Sequence, residues 1–212
     1  MKLFFGHQDY EFKQVAQATG PLPTKSSEPP LPDVQPLDIL LYFTPCFVDL
    51  VIAIKTYCMI GHVEMVWTPG KSVAARAAGV KVYDFRRTGL KRILRHRSPI
   101  NFPLAQTWFE ANADGKKYNW AGLLAFDWPG DNQLPLWKKY ENDRWFCSEL
   151  GCDLLRAAGC RPFADGWPSI KVPPALFVTS PNLDLIWSSD PNQKYSAPVV
   201  ANPASGPVTS TA

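Results

Sequence analysis

Trp145-Phe146-Cys147-Ser148-Glu149-Leu150 is the stretch on which the fold of this chain turns, because it opens an amphipathic helix with a cysteine. Leu150, Leu154, Leu155 and Ala158 recur at helical spacing behind it, and Gly159 is a natural stop, so the spacing predicts about three turns. Unpaired backbone N–H groups and the positive end of the dipole favour negative charge at a helix N-terminus. A thiol there is held below its free value of about 8.5, and the same N–H groups can cradle an oxyanion. Such a nucleophile needs a base, and the chain offers only 3 histidines: His7, His62 and His96.

His62 stands in Gly61-His62-Val63-Glu64-Met65-Val66-Trp67, a β-forming run closed by the turn signal Thr68-Pro69-Gly70. Alternate side chains of a strand share a face, so His62 and Glu64 point the same way and the carboxylate can orient the imidazole; an exposed polar edge is the competing reading. Upstream, Leu37 to Phe43 reads as a buried strand and Phe47 to Tyr57 as a helix packed on it. Downstream, Ser72 to Ala78 reads as irregular and Val80 to Phe85 as a strand, giving a meander. The basic run Arg86 to Arg97 reads as a solvated face. Leu104 to Ala113 and Tyr118 to Phe126 read as helical, Trp128-Pro129-Gly130-Asp131 as a break, Pro173 to Val178 as a closing strand, and Ser180 to Leu183 as a turn or cap. These elements imply an N-terminal arm and proline-rich linker over 1–36, a domain over 37–188, and a flexible or partner-bound tail over 189–212.

Composition sets the outer bounds. With 212 residues, 46% of them apolar and 13% aromatic, one sizeable core is expected. A net charge of +3 and a pI of about 8.6 are too mild to argue for nucleic acid. Five cysteines, an odd number at low density, favour free thiols in a reducing compartment. Cys152 and Cys160 read as ordinary buried residues. Cys147 and Cys152 are not at zinc-ligand spacing, and no metal or cofactor is expected. The run Met1 to Phe5 is too short for an export signal, so cytoplasmic synthesis is expected, with incorporation in a virion as the open alternative. Asp49, Lys55, His62 and Glu64 break the apolar region Ile39 to Trp67 below the roughly 18 uninterrupted residues of a membrane span.

Five elements in order carry a family resemblance: Gln35-Pro36-Leu37-Asp38-Ile39-Leu40, Gly61-His62-Val63-Glu64, Ala78-Gly79-Val80-Lys81-Val82, Tyr118-Asn119-Trp120-Ala121-Gly122-Leu123-Leu124 and Phe146-Cys147-Ser148-Glu149-Leu150. The set resembles the circularly permuted NlpC/P60 papain-like superfamily of the YiiX/YebB type, in which the histidine strand precedes the cysteine helix, as His62 precedes Cys147. The resemblance spans roughly Gln35 to Ser180. It implies an α+β fold: a small antiparallel sheet or half-barrel packed against helices, with the nucleophile at a helix N-terminus.

By the same resemblance Cys147 is the nucleophile, His62 the base and later the acid, and the Cys147 N–H part of the oxyanion hole. The family's third polar residue often lies on the next strand, where Val73-Ala74-Ala75-Arg76 offers no acid, so strand geometry leaves Glu64 as the orienting group. Leu37 stands where the family pattern has glycine, and Tyr118, Trp145 and Ser148 are candidates for the cleft, Tyr118 equally for the core. The implied activity is cleavage of an amide through a thioester, with peptidoglycan peptide as the substrate. Two other readings stay open. One is a structural component of a phage particle or other assembly, contacting virion proteins through the N-terminal arm and C-terminal tail. The other is a lipid ester or amide hydrolase or acyltransferase.

Overall fold

The computed structural model describes residues 29–44, 50, 52, 58–120, 144–163 and 168–190. It is a mixed α+β structure built on a six-stranded antiparallel sheet. The strands are β1 (Ile39–Tyr42), β2 (His62–Thr68), β3 (Lys71–Arg76), β4 (Gly79–Asp84), β5 (Leu90–His96) and, much later in the chain, β8 (Leu183–Ser188). Their spatial order is β4-β3-β2-β1-β5-β8. Helix α1 (Phe102–Asn112), the two-residue strands β6 (Lys117–Tyr118) and β7 (Arg144–Trp145), and helix α2 (Cys147–Ala157) come between β5 and β8.

All four residues of β1 are fully buried, because the sheet is covered on both faces. Ile39 and Leu41 join Val63, Met65, Val73, Ala75 and Leu94 in the core beneath α2, where Leu150, Leu154 and Leu155 meet them. Leu40 and Tyr42 point the other way, into a second core with Val66, Leu90, Ile93 and Trp187. Leu31 and Val34, from the end of the proline-rich stretch, pack over that second core. The indole Nε1 of Trp187 donates to the Pro30 carbonyl at 3.0 Å. A strand buried on both sides reads as an unbroken apolar run, which is what Ile39-Leu40-Leu41-Tyr42 is.

Four expectations are corrected, the last of them at Tyr118. Ser72 to Ala78 is not irregular: Lys71–Arg76 is a full strand between β2 and β4. Its Val73 and Ala75 lie in the core under α2, and the small side chains that make the stretch look featureless suit a narrow space under a helix. Arg86 to Arg97 is not a solvated face: Leu90–His96 is β5, an interior strand paired with β1 and β8. Two cations of the run, Arg95 in β5 and Arg97 just after it, are balanced by acids distant in sequence. Arg95 makes a fork to buried Asp38 at 2.8 and 2.7 Å, and Arg97 meets Asp184 at 2.9 Å. Pro173 to Val178 is not a strand, since Pro174–Thr179 is a 3₁₀ helix; prolines lack the N–H that a ladder needs. The chain closes instead with β8, where a turn or cap was expected only as far as Leu183.

Tyr118 lies in strand β6, not in a helix. The rest of that expected helix beyond Trp120, nearly all of the Phe47–Tyr57 helix, the Trp128–Asp131 break and the tail beyond 190 fall outside the described residues.

Two backbone positions run against residue preference in opposite directions. Leu37 holds φ 63°, the left-handed region, while its side chain is fully buried and its N–H donates to the Val66 carbonyl at 2.8 Å. Gly151 lies inside α2, where an added Cβ would rest 3.5 Å from Met65 Sδ, Val63 Cγ1 and Phe177 Cζ, ordinary contact distances. Leu37→Gly should therefore destabilise the protein, because losing a buried leucine costs about 2–5 kcal/mol and relieves only about 1–2 kcal/mol of strain. Gly151→Ala should stabilise it by about 1 kcal/mol through helix propensity alone. Denaturant unfolding of both variants checks the pair; a lower midpoint for Gly151→Ala would show that the helix cannot accept a methyl group against the sheet.

Candidate active site

Cys147 is the first residue of α2, and three local features hold it there. β7 pairs in parallel with β6, and the Asn119 N–H donates to the Trp145 carbonyl at 2.9 Å, which fixes the chain entering the helix. Phe146, fully buried and extended at φ −98° and ψ 169°, forms the N-cap. The Glu149 carboxylate turns back to accept the Phe146 N–H at 3.3 Å. Phenylalanine offers no oxygen acceptor to the first turn, so the positive field of the helix start falls on Cys147.

His62 begins β2, opposite Tyr42 in the register. Its Nε2 meets Glu64 Oε1 at 3.1 Å, and its ring also hydrogen-bonds the Cys147 thiol group. Glu64 is wholly buried, with its side chain at 0% exposure. Ser72 Oγ donates to its Oε2 at 2.6 Å, while Arg76 donates to Oε1 from Nε at 3.1 Å and from the terminal nitrogen at 2.7 Å. Ser72 and Arg76 are both on β3, next to β2, and each is an even step from the other, so one face of β3 supplies the whole clamp.

Electrostatics reflect this arrangement. Burial pulls the His62 pKa down, but Cys147 and then Glu64 more than offset it and carry the imidazole up to about 9. Burial pushes Glu64 up, yet hydrogen bonds and charge from His62, Ser72 and Arg76 hold it at about 2. Both groups are therefore charged at neutral pH. Burial raises the thiols of Cys58, Cys152 and Cys160 and keeps them protonated.

The sequence pointed to six site residues, and three of them, Cys147, His62 and Glu64, are in mutual contact through the imidazole. The cleft candidates are all buried. Ser148 is fully enclosed and donates to the Val172 carbonyl at 2.6 Å, tying α2 to the segment before the 3₁₀ helix Pro174–Thr179. Trp145 donates from its indole to Asp153 Oδ2 at 3.1 Å, and Tyr118 packs at a 58° tilt against Trp120 with ring centroids 4.7 Å apart. Sequence reasoning missed Ser72, Arg76 and Arg86, whose terminal nitrogen is 3.5 Å from Glu64 Oε1. A serine and an arginine at even spacing beside the histidine strand are the available signal, and the small residues between them hide the strand that carries it. Among the described residues, no group of three or more His, Cys, Asp or Glu side chains is arranged to hold a metal ion, and no helix is long and apolar enough to cross a membrane.

The two shifted groups make stability depend on pH at both ends. His62 has a folded value raised from 6.5 to about 9, so its contribution is complete below pH 6.5 and is lost as pH rises through about 9. Glu64 is lowered from 4.5 to about 2, so its contribution is complete above pH 4.5 and is lost as pH falls towards 2. Urea unfolding over the alkaline range should show wild type losing its advantage over His62→Gln as pH rises from 6.5 through about 9. Parallel curves for the two proteins would show that the imidazole is not held charged in the folded state.

Comparison of the chain with protein-family models gives no match, and neither does comparison with curated proteins.

Proposed function

We propose that the protein is a cysteine hydrolase that cleaves an amide through a thioester, with a fold of the circularly permuted NlpC/P60 papain-like type. The observation that carries this reading is the position of the His62 ring, hydrogen-bonded to Cys147 on one side and to a clamped, ionised Glu64 on the other.

In that reading Cys147 sulfur, as thiolate, attacks the scissile carbonyl carbon. The carbon–sulfur bond forms, and the carbonyl π pair moves to oxygen, which the N–H groups at the start of α2 receive. Collapse of this intermediate expels the amine, which takes the proton from His62. Neutral His62 then draws a proton from water, the hydroxide attacks the thioester, and the acid leaves as the thiolate–imidazolium pair is restored. Glu64 keeps the ring aligned and stabilises its charge, as the buried acid does behind other catalytic bases. The substrate class we assign is a peptide amide of the bacterial cell wall.

One equivalent of iodoacetamide at neutral pH should label Cys147 well ahead of Cys58, Cys152 and Cys160, which burial keeps protonated. Incubation with peptidoglycan should release new amino groups, and Cys147→Ala or His62→Ala should reduce that release by about a thousandfold or more. Even labelling across the thiols, together with amine release that survives Cys147→Ala, would sink the assignment.

A further inference from the structure

Asp153 is an acid on α2 that the chemistry above does not use, and its side chain keeps only 26% of its surface. Its two oxygens take donors from different parts of the fold. Oδ2 accepts the Trp145 indole N–H at 3.1 Å, and Oδ1 accepts the Ser169 hydroxyl. Ser169 opens a short 3₁₀ helix, Ser169–Lys171, and its oxygen in turn accepts from Arg156 at 2.5 Å. The same Arg156 nitrogen is 3.9 Å from Asp153 Oδ1, beyond hydrogen-bond reach, so the serine links the two charges. Burial raises the Asp153 carboxyl above its ordinary value, although Ser169, Trp145 and Arg156 all oppose that. An acid kept in such a place needs its donors, and one of them belongs to the chain entering the cysteine helix.

Asp153 follows Cys147 by six residues, a rise of about 9 Å along the helix. An indole that reaches it from position 145 lies back along α2 instead of running off its end. The main chain of Trp145 is fixed by its pairing with Tyr118 and by the Asn119 N–H at 2.9 Å. The ring meets Trp108 edge-on, with centroids 6.1 Å apart, and its N–H is fixed by Asp153. Val172, just beyond the 3₁₀ helix, accepts the Ser148 hydroxyl at 2.6 Å. One short segment thus grips α2 next to Cys147 and again more than a turn later, at Asp153. Only Phe146 separates Trp145 from Cys147, so a turn of the Trp145–Phe146 peptide carries the sulfur with it.

We propose that Asp153 is a positioning residue for the nucleophile: by holding Trp145 against α2 it fixes the entry to the helix, and with it the approach of the Cys147 sulfur to the His62 ring. This rests on the cysteine-hydrolase reading above and adds to it a group that acts on the sulfur only through Trp145.

Trp145→Phe keeps an aromatic ring against Trp108 and removes the N–H, while Asp153→Leu keeps the volume and removes the acceptor. Each should slow iodoacetamide labelling of Cys147 at neutral pH by about tenfold, because a displaced sulfur loses its contact with the imidazole. Asp153→Asn keeps an oxygen for the indole and should label within about twofold of wild type. The double variant Trp145→Phe/Asp153→Leu should be no slower than the slower single variant, since both changes remove one bond. In peptidoglycan turnover the single variants should lose kcat and keep KM, as a misplaced nucleophile does. Urea unfolding measures the stability of each variant separately, and the rates are read where each is fully folded. If Asp153→Leu does not fold, the comparison of Trp145→Phe with wild type decides the matter.

Wild-type labelling rates in Trp145→Phe and Asp153→Leu, with lowered unfolding midpoints, overturn the proposal, because the network then serves stability alone. Slowing that adds up in the double variant also overturns it, since the two residues would act by separate routes. Wild-type Cys147 that labels no faster than in the unfolded chain overturns the nucleophile assignment and this inference with it. Fast wild-type labelling beside unaffected variants overturns this inference alone.

Discussion

A carboxylate taken wholly out of water is the constraint around which the rest of this structure is arranged. Glu64 lies at 0% exposure inside the sheet, where an unpaired charge costs several kcal/mol. Ser72 Oγ, two nitrogens of Arg76 and the His62 ring are the groups that make it tolerable. Each of them also has a structural address: Ser72 and Arg76 bind β3 to β2, and His62 binds the start of β2 to the start of α2. Breaking such a network by removing one partner is expected to cost about 3–5 kcal/mol, far more than any surface pair. The same contacts fix the imidazole's orientation and charge, so stability and site geometry are one set of hydrogen bonds.

The part of the site that is legible in the sequence is the local part. A histidine and a glutamate two apart in a β-forming run share a face whatever the rest of the chain does, and a cysteine before the periodic leucines at 150, 154 and 155 stands at a helix start by spacing alone. What is not legible depends on partners distant in sequence. Leu90-Lys91-Arg92-Ile93-Leu94-Arg95-His96-Arg97 looks like surface because Arg95 and Arg97 find Asp38 and Asp184, one far upstream and one far downstream, only once the sheet has formed. Ser72-Val73-Ala74-Ala75 has too little side chain to show a period, although alternation decides which residues reach Glu64 and which reach the core. The prolines at 173 and 174, by contrast, are visible in the sequence, and their missing N–H groups outweigh the β-forming residues after them.

Burial on both faces of the sheet explains why β1 carries no charged residue at all while its neighbours do. β1 has nothing but Ile39, Leu40, Leu41 and Tyr42 to offer to two cores, and Asp38 just before it is neutralised by the Arg95 fork. On β2 the two faces diverge. Val63, Met65 and Trp67 serve the core under α2, whereas His62 and Glu64 occupy the face shared with Leu40 and Tyr42. The candidate site thus lies where an apolar face gives way to a charged one at the end of a strand, with the helix N-terminus brought up to it.

The hydrogen bond from Trp187 to Pro30 joins the first described stretch of the chain to the last strand. Positions 30 and 187 are neighbours in space, so the path of the backbone through the fold is nearly a closed loop. In a loop of this kind the order of elements along the sequence reflects where the loop is opened and says little about which side chains meet. Folds with adjoining ends tolerate relocation of their termini for this reason. The contacts among Cys147, His62 and Glu64 are set by which strand lies beside which helix start, not by where along the chain each of them falls.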